Sequence, residues 1–166
     1  MIKEKFDENE RLMFTFGHNV ENTRELLNVR FDYLEVTDKA IEELKQIIME
    51  KDIDTEEERY EYEEIYHSLR NVIRKKLYYF KNQTVHSRQF IYHSDSCISL
   101  VQVSYRDEFL LMTIYMRSCE MTKMLYSDML AFMQMIKLIN DEFFKTKKLI
   151  LTIFINSLHV YKNDNK

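Results

Sequence analysis

Residues 96–121, SCISLVQVSYRDEFLLMTIYMRSCEM, carry two apolar, β-branched runs on either side of Arg106-Asp107-Glu108. Runs of this length broken by a short charged turn predict two strands folded back as a hairpin. A cysteine stands just ahead of the first strand, at position 97, and Arg117-Ser118 close the second. Cys97 lies about as far before the turn as Arg117 lies after it, so the hairpin would bring the two to one sheet edge.

The neighbouring segments supply what such a hairpin must pack against. Residues 11–36 offer a short helix or extended lead-in, a turn around Gly17-His18-Asn19 and a strand at Leu26 to Val36. Thr37 or Asp38 can cap the next helix, in which Ile41, Leu44, Ile47 and Ile48 recur at helical spacing. The acidic stretch 50–64 has few aliphatic residues and reads as a solvated connection or the exposed start of a helix. From Ile65, the positions Leu69, Val72, Ile73, Leu77 and Phe80 make an amphipathic helix whose Arg70, Arg74, Lys75 and Lys76 face water. That basic face could touch RNA, but exposed helical cations are usually only solvated.

Residues 84–95 read as a strand with irregular ends. Met129, Leu130, Phe132, Met133, Ile136 and Ile139 predict a largely buried central helix. KLILTIFINSLHVY, residues 148–161, is apolar throughout and fits a strand covered on both faces. Helices alternating with such strands predict an α/β (α+β) chain built on one mixed or antiparallel-rich sheet.

Composition bounds the function. At 166 residues, 45% hydrophobic and 31% charged, the chain suits one soluble domain, 1–166. A net charge of −4 gives no overall positive field for nucleic acid or an anionic membrane. The N-terminus is charged, and no run approaches the roughly 18 to 20 apolar residues of a membrane span, so an intracellular, cytoplasmic protein is expected. Two cysteines without CxxC or a Cys/His cluster predict free thiols and no metal site. With one glycine and no proline, neither a GxGxxG turn nor a phosphate-binding P-loop is possible.

Several residues could carry chemistry, and each has a plainer reading. Cys97 would become a strong nucleophile beside a cation such as Arg117, or it is a small buried residue. Arg117 could grip an anion with its fork of donors, or pair with Glu120 on the surface. Asp128, after Ser127, could simply cap the helix that follows. His159 in an apolar strand suits a hydrogen-bonded core histidine, and Tyr161, two residues on, shares its face.

In order and spacing, Cys97, Gln102, Arg117-Ser118, Glu120, Asp128 and His159-Val160-Tyr161 resemble the thymidylate synthase and deoxycytidylate hydroxymethylase family. The likeness is best over residues 65–162, with residues 18–36 resembling the family's first strand only loosely. It implies a thymidylate synthase-like fold in which Cys97 attacks C6 of a pyrimidine deoxynucleotide, for transfer of a one-carbon unit from 5,10-methylenetetrahydrofolate to C5. It further implies that Arg117, Ser118 and Arg88 of a partner subunit hold the 5′-phosphate, which makes a homodimer, joined through the sheet face, part of the site. Asp128 would read the base, His159 and Tyr161 would contact the deoxyribose, and Glu120 would lie on the folate side.

An Asp at position 128 resembles the hydroxymethylase branch, which implies dCMP over dUMP. The chain also departs from the family's pattern. Gln89 stands where a second arginine is usual, Ile98 replaces a His, Met116 a Gln and Met124 a Gly, and His18 lies where relatives carry a phosphate-binding Arg. There is no tryptophan for the folate side, and Glu42 or Glu43 would have to stand in for the family's catalytic Glu. The alternative is therefore a catalytically inactive homologue that binds a nucleotide or a protein partner.

Overall fold

The computed structural model describes residues 2–54, 59–79, 90–106 and 108–162. Arg88, Gln89, Phe80, Asp107 and the first six residues of the expected strand at 84–95 lie outside these. In chain order the elements are α1 (Ile2–Phe16), β1 (His18–Val20), β2 (Thr23–Glu35), α2 (Asp38–Glu50), α3 (Arg59–Tyr79), β3 (Phe90–His93), β4 (Ile98–Tyr105), β5 (Phe109–Glu120), α4 (Met124–Ile139) and β6 (Lys148–Tyr161). A π-helical turn, Asn140–Phe144, extends α4.

The strands form one six-stranded mixed sheet in the order β1-β2-β6-β5-β4-β3. The class is α+β and the sheet is antiparallel-rich: only β5 and β6 pair in parallel, because α4 crosses between them. The hairpin β4–β5 forms as its sequence predicts, but β5 runs two residues past Ser118.

Thr37 is the N-cap of α2, its hydroxyl accepting from the Ala40 N–H at 3.1 Å, and Ile41, Leu44, Ile47 and Ile48 are buried. α1 is longer than the short lead-in expected, since Ile2, Phe6, Asn9 and Met13 all meet the core along one face. Its Phe6 stacks on Tyr126 of α4 with centroids 4.3 Å apart, and the Arg24 side chain donates to the Met13 and Phe14 carbonyls that end the helix. Gly17 follows at once because a Cβ there would sit 2.4 Å from the Met13 carbonyl oxygen.

The expectation that β6 is covered on both faces is corrected. Leu149, Leu151, Ile153 and Ile155 are buried, while on the opposite face Ile150 and Phe154 are only partly so and only Thr152, whose hydroxyl accepts from the Tyr33 N–H, is buried. The helices therefore cover one sheet face and leave the other open.

Four strands break in one row. The β2–β6 ladder omits the Asn28–Asn156 pair, the β6–β5 ladder omits Arg117–Asn156, and the β5–β4 register shifts between Ile98 and Leu100. Asn28 takes a left-handed backbone there, with φ 55°. Beyond the row, the inward alternation changes parity. On β5, Leu110, Met112, Ile114 and Met116 give way to Cys119, and on β6 Ile155 gives way to Leu158 and Val160.

Among the described residues, no helix is long and apolar enough to cross a membrane. Burial, aided by the carboxylates of Glu10, Asp7 and Glu120, pushes the Tyr126 phenol up to about 12. The unfolded chain would ionise this phenol near its ordinary value of about 10 and the folded chain would not. Its contribution to stability is thus full below about 10 and declines as pH rises toward 12. Denaturant unfolding of the wild type and Tyr126→Phe at pH 9 and pH 11 should show a smaller alkaline loss in the variant.

Candidate functional site

The row of breaks decides which side chains meet at the end of the sheet. Had β6 kept its alternation, His159 and Tyr161 would face inward with Ile153 and Ile155. Instead Leu158 and Val160 take the inward positions. A cavity of about 490 Å³ opens here, lined by residues that include Cys97, Ser118, Glu120, Asp128, His159 and Tyr161. That volume is typical of a small-molecule site. Of the residues singled out in the sequence, these six come together.

The two cysteines both line the cavity but differ in state. Cys97 is exposed, with its Sγ 3.6 Å from the Ser118 hydroxyl. Cys119 is buried, and its thiol donates to Asp128 Oδ2 at 3.2 Å. Cys97, the exposed thiol, is therefore the one placed to react.

Asp128 is only 4% exposed. It is not an N-cap as the local sequence suggests, because α4 begins four residues earlier, at Met124. Capping falls to Glu120, whose carboxylate accepts from the backbone N–H groups of Thr122 at 2.7 Å, Lys123 at 2.8 Å and Met124 at 3.3 Å. The same carboxylate accepts from the Thr122 hydroxyl. Glu120 therefore neither pairs with Arg117 nor presents a free carboxylate to a ligand. His159 and Tyr161 share a face as expected, their rings 5.4 Å apart and edge to face.

Arg117 departs from its expected place. Its main-chain N–H bonds the Cys97 carbonyl at 2.8 Å, so the predicted meeting of the two residues occurs. Its guanidinium, however, donates to the carbonyls of Asp95 and Ser96 and does not line the Cys97 cavity. It lines a second hollow on the open sheet face, together with Asn28, Ser99 and Asn156 from the row of breaks. Arg88 lies outside the described residues. Neither His18, on the edge strand β1, nor Gln102, within β4, lines the cavity.

Thr122 and Lys123, in the loop before α4, and two residues of α3 were missed in the sequence. Glu61 and Tyr62 come from the acidic stretch, whose end forms the start of α3 at Arg59, one of the two readings expected of it, but with these two side chains on the cavity. Glu61 Oε1 is buried and has no hydrogen-bond partner among the described residues. Glu42 and Glu43 do not reach the cavity, and Glu42 pairs with Lys45 at 2.6 Å. The signal lay in Tyr62, Ile65, Tyr66 and Leu69, whose helical spacing runs back past Ile65.

Among the described residues, no group of three or more His, Cys, Asp or Glu side chains could hold a metal ion. No protein-family model matches the chain, and a comparison with curated proteins finds no match.

Two outcomes follow from this geometry. A thiol-reactive dye should label the native protein in one fast phase, lost in Cys97→Ser, with Cys119 reacting only on unfolding. Glu120→Ala, which strips α4 of its cap, should lower unfolding free energy by about 1 to 3 kcal/mol in urea denaturation.

Proposed function

We propose that the cavity binds a pyrimidine deoxynucleoside monophosphate, dCMP in preference to dUMP, and that Cys97 adds to C6 as the first step of one-carbon transfer at C5. The thymidylate synthase-like fold is part of the same proposal. One observation carries it: Cys97, Ser118, Asp128, His159 and Tyr161, far apart in the chain and ordered as in the resemblance, line one cavity. Thiolate addition to C6 shifts the C5–C6 π pair toward the ring carbonyl or amidine and makes C5 nucleophilic. Glu61, whose Oε1 is buried and without a hydrogen-bond partner among the described residues, stands where a proton can be moved at the ring.

Methylenetetrahydrofolate would supply the transferred carbon. The described residues suit it less well than they suit the nucleotide, since Glu120 is committed to α4 and the chain has no tryptophan. The chemistry is therefore derived only as far as the C6 adduct.

The homodimer belongs to this reading. Leu100, Leu111, Ile150 and Phe154 leave partly exposed apolar surface on the uncovered sheet face, which a second copy would bury. Such a partner would also offer its own Arg88 to the phosphate. Two free thiols suit a reducing, cytoplasmic setting.

Specific observations favour a second reading, an inactive homologue that binds nucleotide without turnover. Ile98, Met116 and Met124, each standing where the family's pattern has another residue, all line the cavity, and Arg117 faces elsewhere.

Release of tritium from 5-tritiated dCMP and dUMP, with and without methylenetetrahydrofolate, separates the two. Release faster from dCMP, and lowered on the order of a thousandfold in Cys97→Ser, is expected. Retained label together with phosphate-dependent binding, and no covalent adduct with a 5-fluoro analogue, would select the inactive homologue. Absence of any nucleotide binding would sink both.

A further inference from the structure

Cys97 lies in the bend between β3 and β4, outside both strands, and it is held in place from β5. The Arg117 main-chain N–H donates to the Cys97 carbonyl at 2.8 Å, Nε donates to the Ser96 carbonyl at 3.1 Å, and Nη2 donates to the Asp95 carbonyl. One residue therefore ties three successive carbonyls of the bend. Ser118, next along β5, sets its hydroxyl 3.6 Å from the Cys97 sulfur. Other bonds in the bend are local. The Ser96 N–H donates to the Ser94 hydroxyl at 3.0 Å and the Ser94 N–H to the Ser99 carbonyl at 3.1 Å, which shapes the turn without fixing it against β5.

We infer that Arg117 and Ser118 are positioning residues that set the Cys97 sulfur for attack, and that neither is a ligand for the phosphate. This rests on the reading of Cys97 as the nucleophile, deepens it, and reverses what the family resemblance implies for the Arg-Ser pair. Misplacing an attacking atom by about 1 Å can cost on the order of a hundredfold in rate, so a thiol carried on a bend needs a fixed mount. A guanidinium supplies one because its planar fork spans two carbonyls at once, which the single ammonium of a lysine does not. With donors on the Asp95 and Ser96 carbonyls, the Arg117 side chain lies on the open sheet face and does not line the cavity. Ser118 does line it, but its hydroxyl has a single hydrogen to donate. A deprotonated sulfur can only accept, so that hydrogen goes to Cys97 and is not shared with a phosphate oxygen.

The test compares the wild type, Arg117→Lys and Ser118→Ala. Hydrogen exchange of the folded proteins reads the mount itself: in Arg117→Lys the amides of residues 94–99 should exchange about tenfold faster, with those of β6 unchanged. Covalent capture of 5-fluoro-dCMP should slow about tenfold in Arg117→Lys and about threefold in Ser118→Ala. Alkylation of Cys97 by iodoacetamide should not slow in Arg117→Lys, since the thiol stays exposed. Calorimetric titration with dCMP and deoxycytidine should give the same affinity ratio in all three proteins. If Arg117→Lys fails to fold, Ser118→Ala still decides by its capture rate and affinity ratio.

A dCMP-to-deoxycytidine ratio that drops in either variant would make that residue a phosphate ligand and overturn the inference, leaving the nucleotide reading in place. Unchanged exchange and capture in Arg117→Lys would do the same. So would alkylation slowed as much as capture, which puts the effect on the thiol's reactivity rather than its position. A wild type that binds dCMP without capturing the analogue removes the attack on which this rests and selects the inactive homologue. One that binds no nucleotide removes the nucleotide reading as well.

Discussion

The site depends on a break shared by adjacent strands. Asn28, Asn156, Arg117 and Ser99 fall in one row across β2, β6, β5 and β4, and all four line the hollow on the open sheet face. A bulge in one strand alone would slip its register against both neighbours. Because β2, β6 and β5 interrupt together, their pairing resumes beyond the row in unchanged register, as in Leu27 with Ser157 and Val29 with Ile155 on one side of β6, and Met116 with Ile155 and Ser118 with Ser157 on the other. The break thus alters which way side chains face without altering which strands pair. It sends Cys119 inward to Asp128 and takes His159 and Tyr161 off the inward face.

On the helix side, α4 holds the cavity floor and is fixed from three directions. Phe6 of α1 stacks on Tyr126, Tyr62 of α3 meets Asp128 and Phe132, and Glu120 of β5 satisfies the N–H groups of the first turn. These contacts explain how a buried carboxylate is tolerated. Hydrogen bonds from Tyr62 and Cys119 offset the burial of Asp128, which without them would cost several kcal/mol. At its far end, α4 is tied to α3 through Glu142, which takes Arg70 at 2.5 Å and Arg74 at 3.0 Å. Those arginines hold the carboxyl of Glu142 below its usual range. The basic face of α3 is accordingly engaged in part with its own chain and is not simply solvated.

Much of this was legible in the sequence where periodicity was strong. The α2 face, the buried α4, the β4–β5 hairpin and the long β6 all follow from apolar spacing, and Thr37 was readable as a cap because its partner is local. What was not legible depended on contacts between distant residues. Glu120 caps α4 from the preceding strand, so Asp128 looked like the better cap although it lies a turn inside the helix. Asn28 and Asn156 are single polar residues in apolar strands, a sign of irregularity, but only pairing shows that they fall side by side. Arg117 was placed correctly along the chain and misdirected in space, since the break that turns Cys119 inward leaves its guanidinium on the opposite face. Glu61 was hidden in an acidic run whose average character describes Glu63 and Glu64, both exposed, better than it describes Glu61, whose Oε1 is sealed.

The charge around the cavity bears on how an anionic ligand could be held there. Glu61, Glu120 and Asp128 line it, against Lys123 and His159. A phosphate brought to this surface meets more carboxylate than cation, and an uncompensated dianion in a partly dry site would be repelled. Glu120 is partly neutralised by the amide groups of α4, and Asp128 by its two donors, which reduces the repulsion without supplying attraction. The remaining positive charge has to come from outside the lining described. Arg117 is near, but two carbonyls hold it on the open sheet face, where a second copy would pack. A second copy packed across that face, as proposed, would bury those carbonyls and the guanidinium together and would cover the apolar sheet surface. On the proposed reading, nucleotide binding and dimerisation would be linked: a ligand that needs the partner's charge must strengthen the dimer by the same factor that the dimer strengthens the ligand.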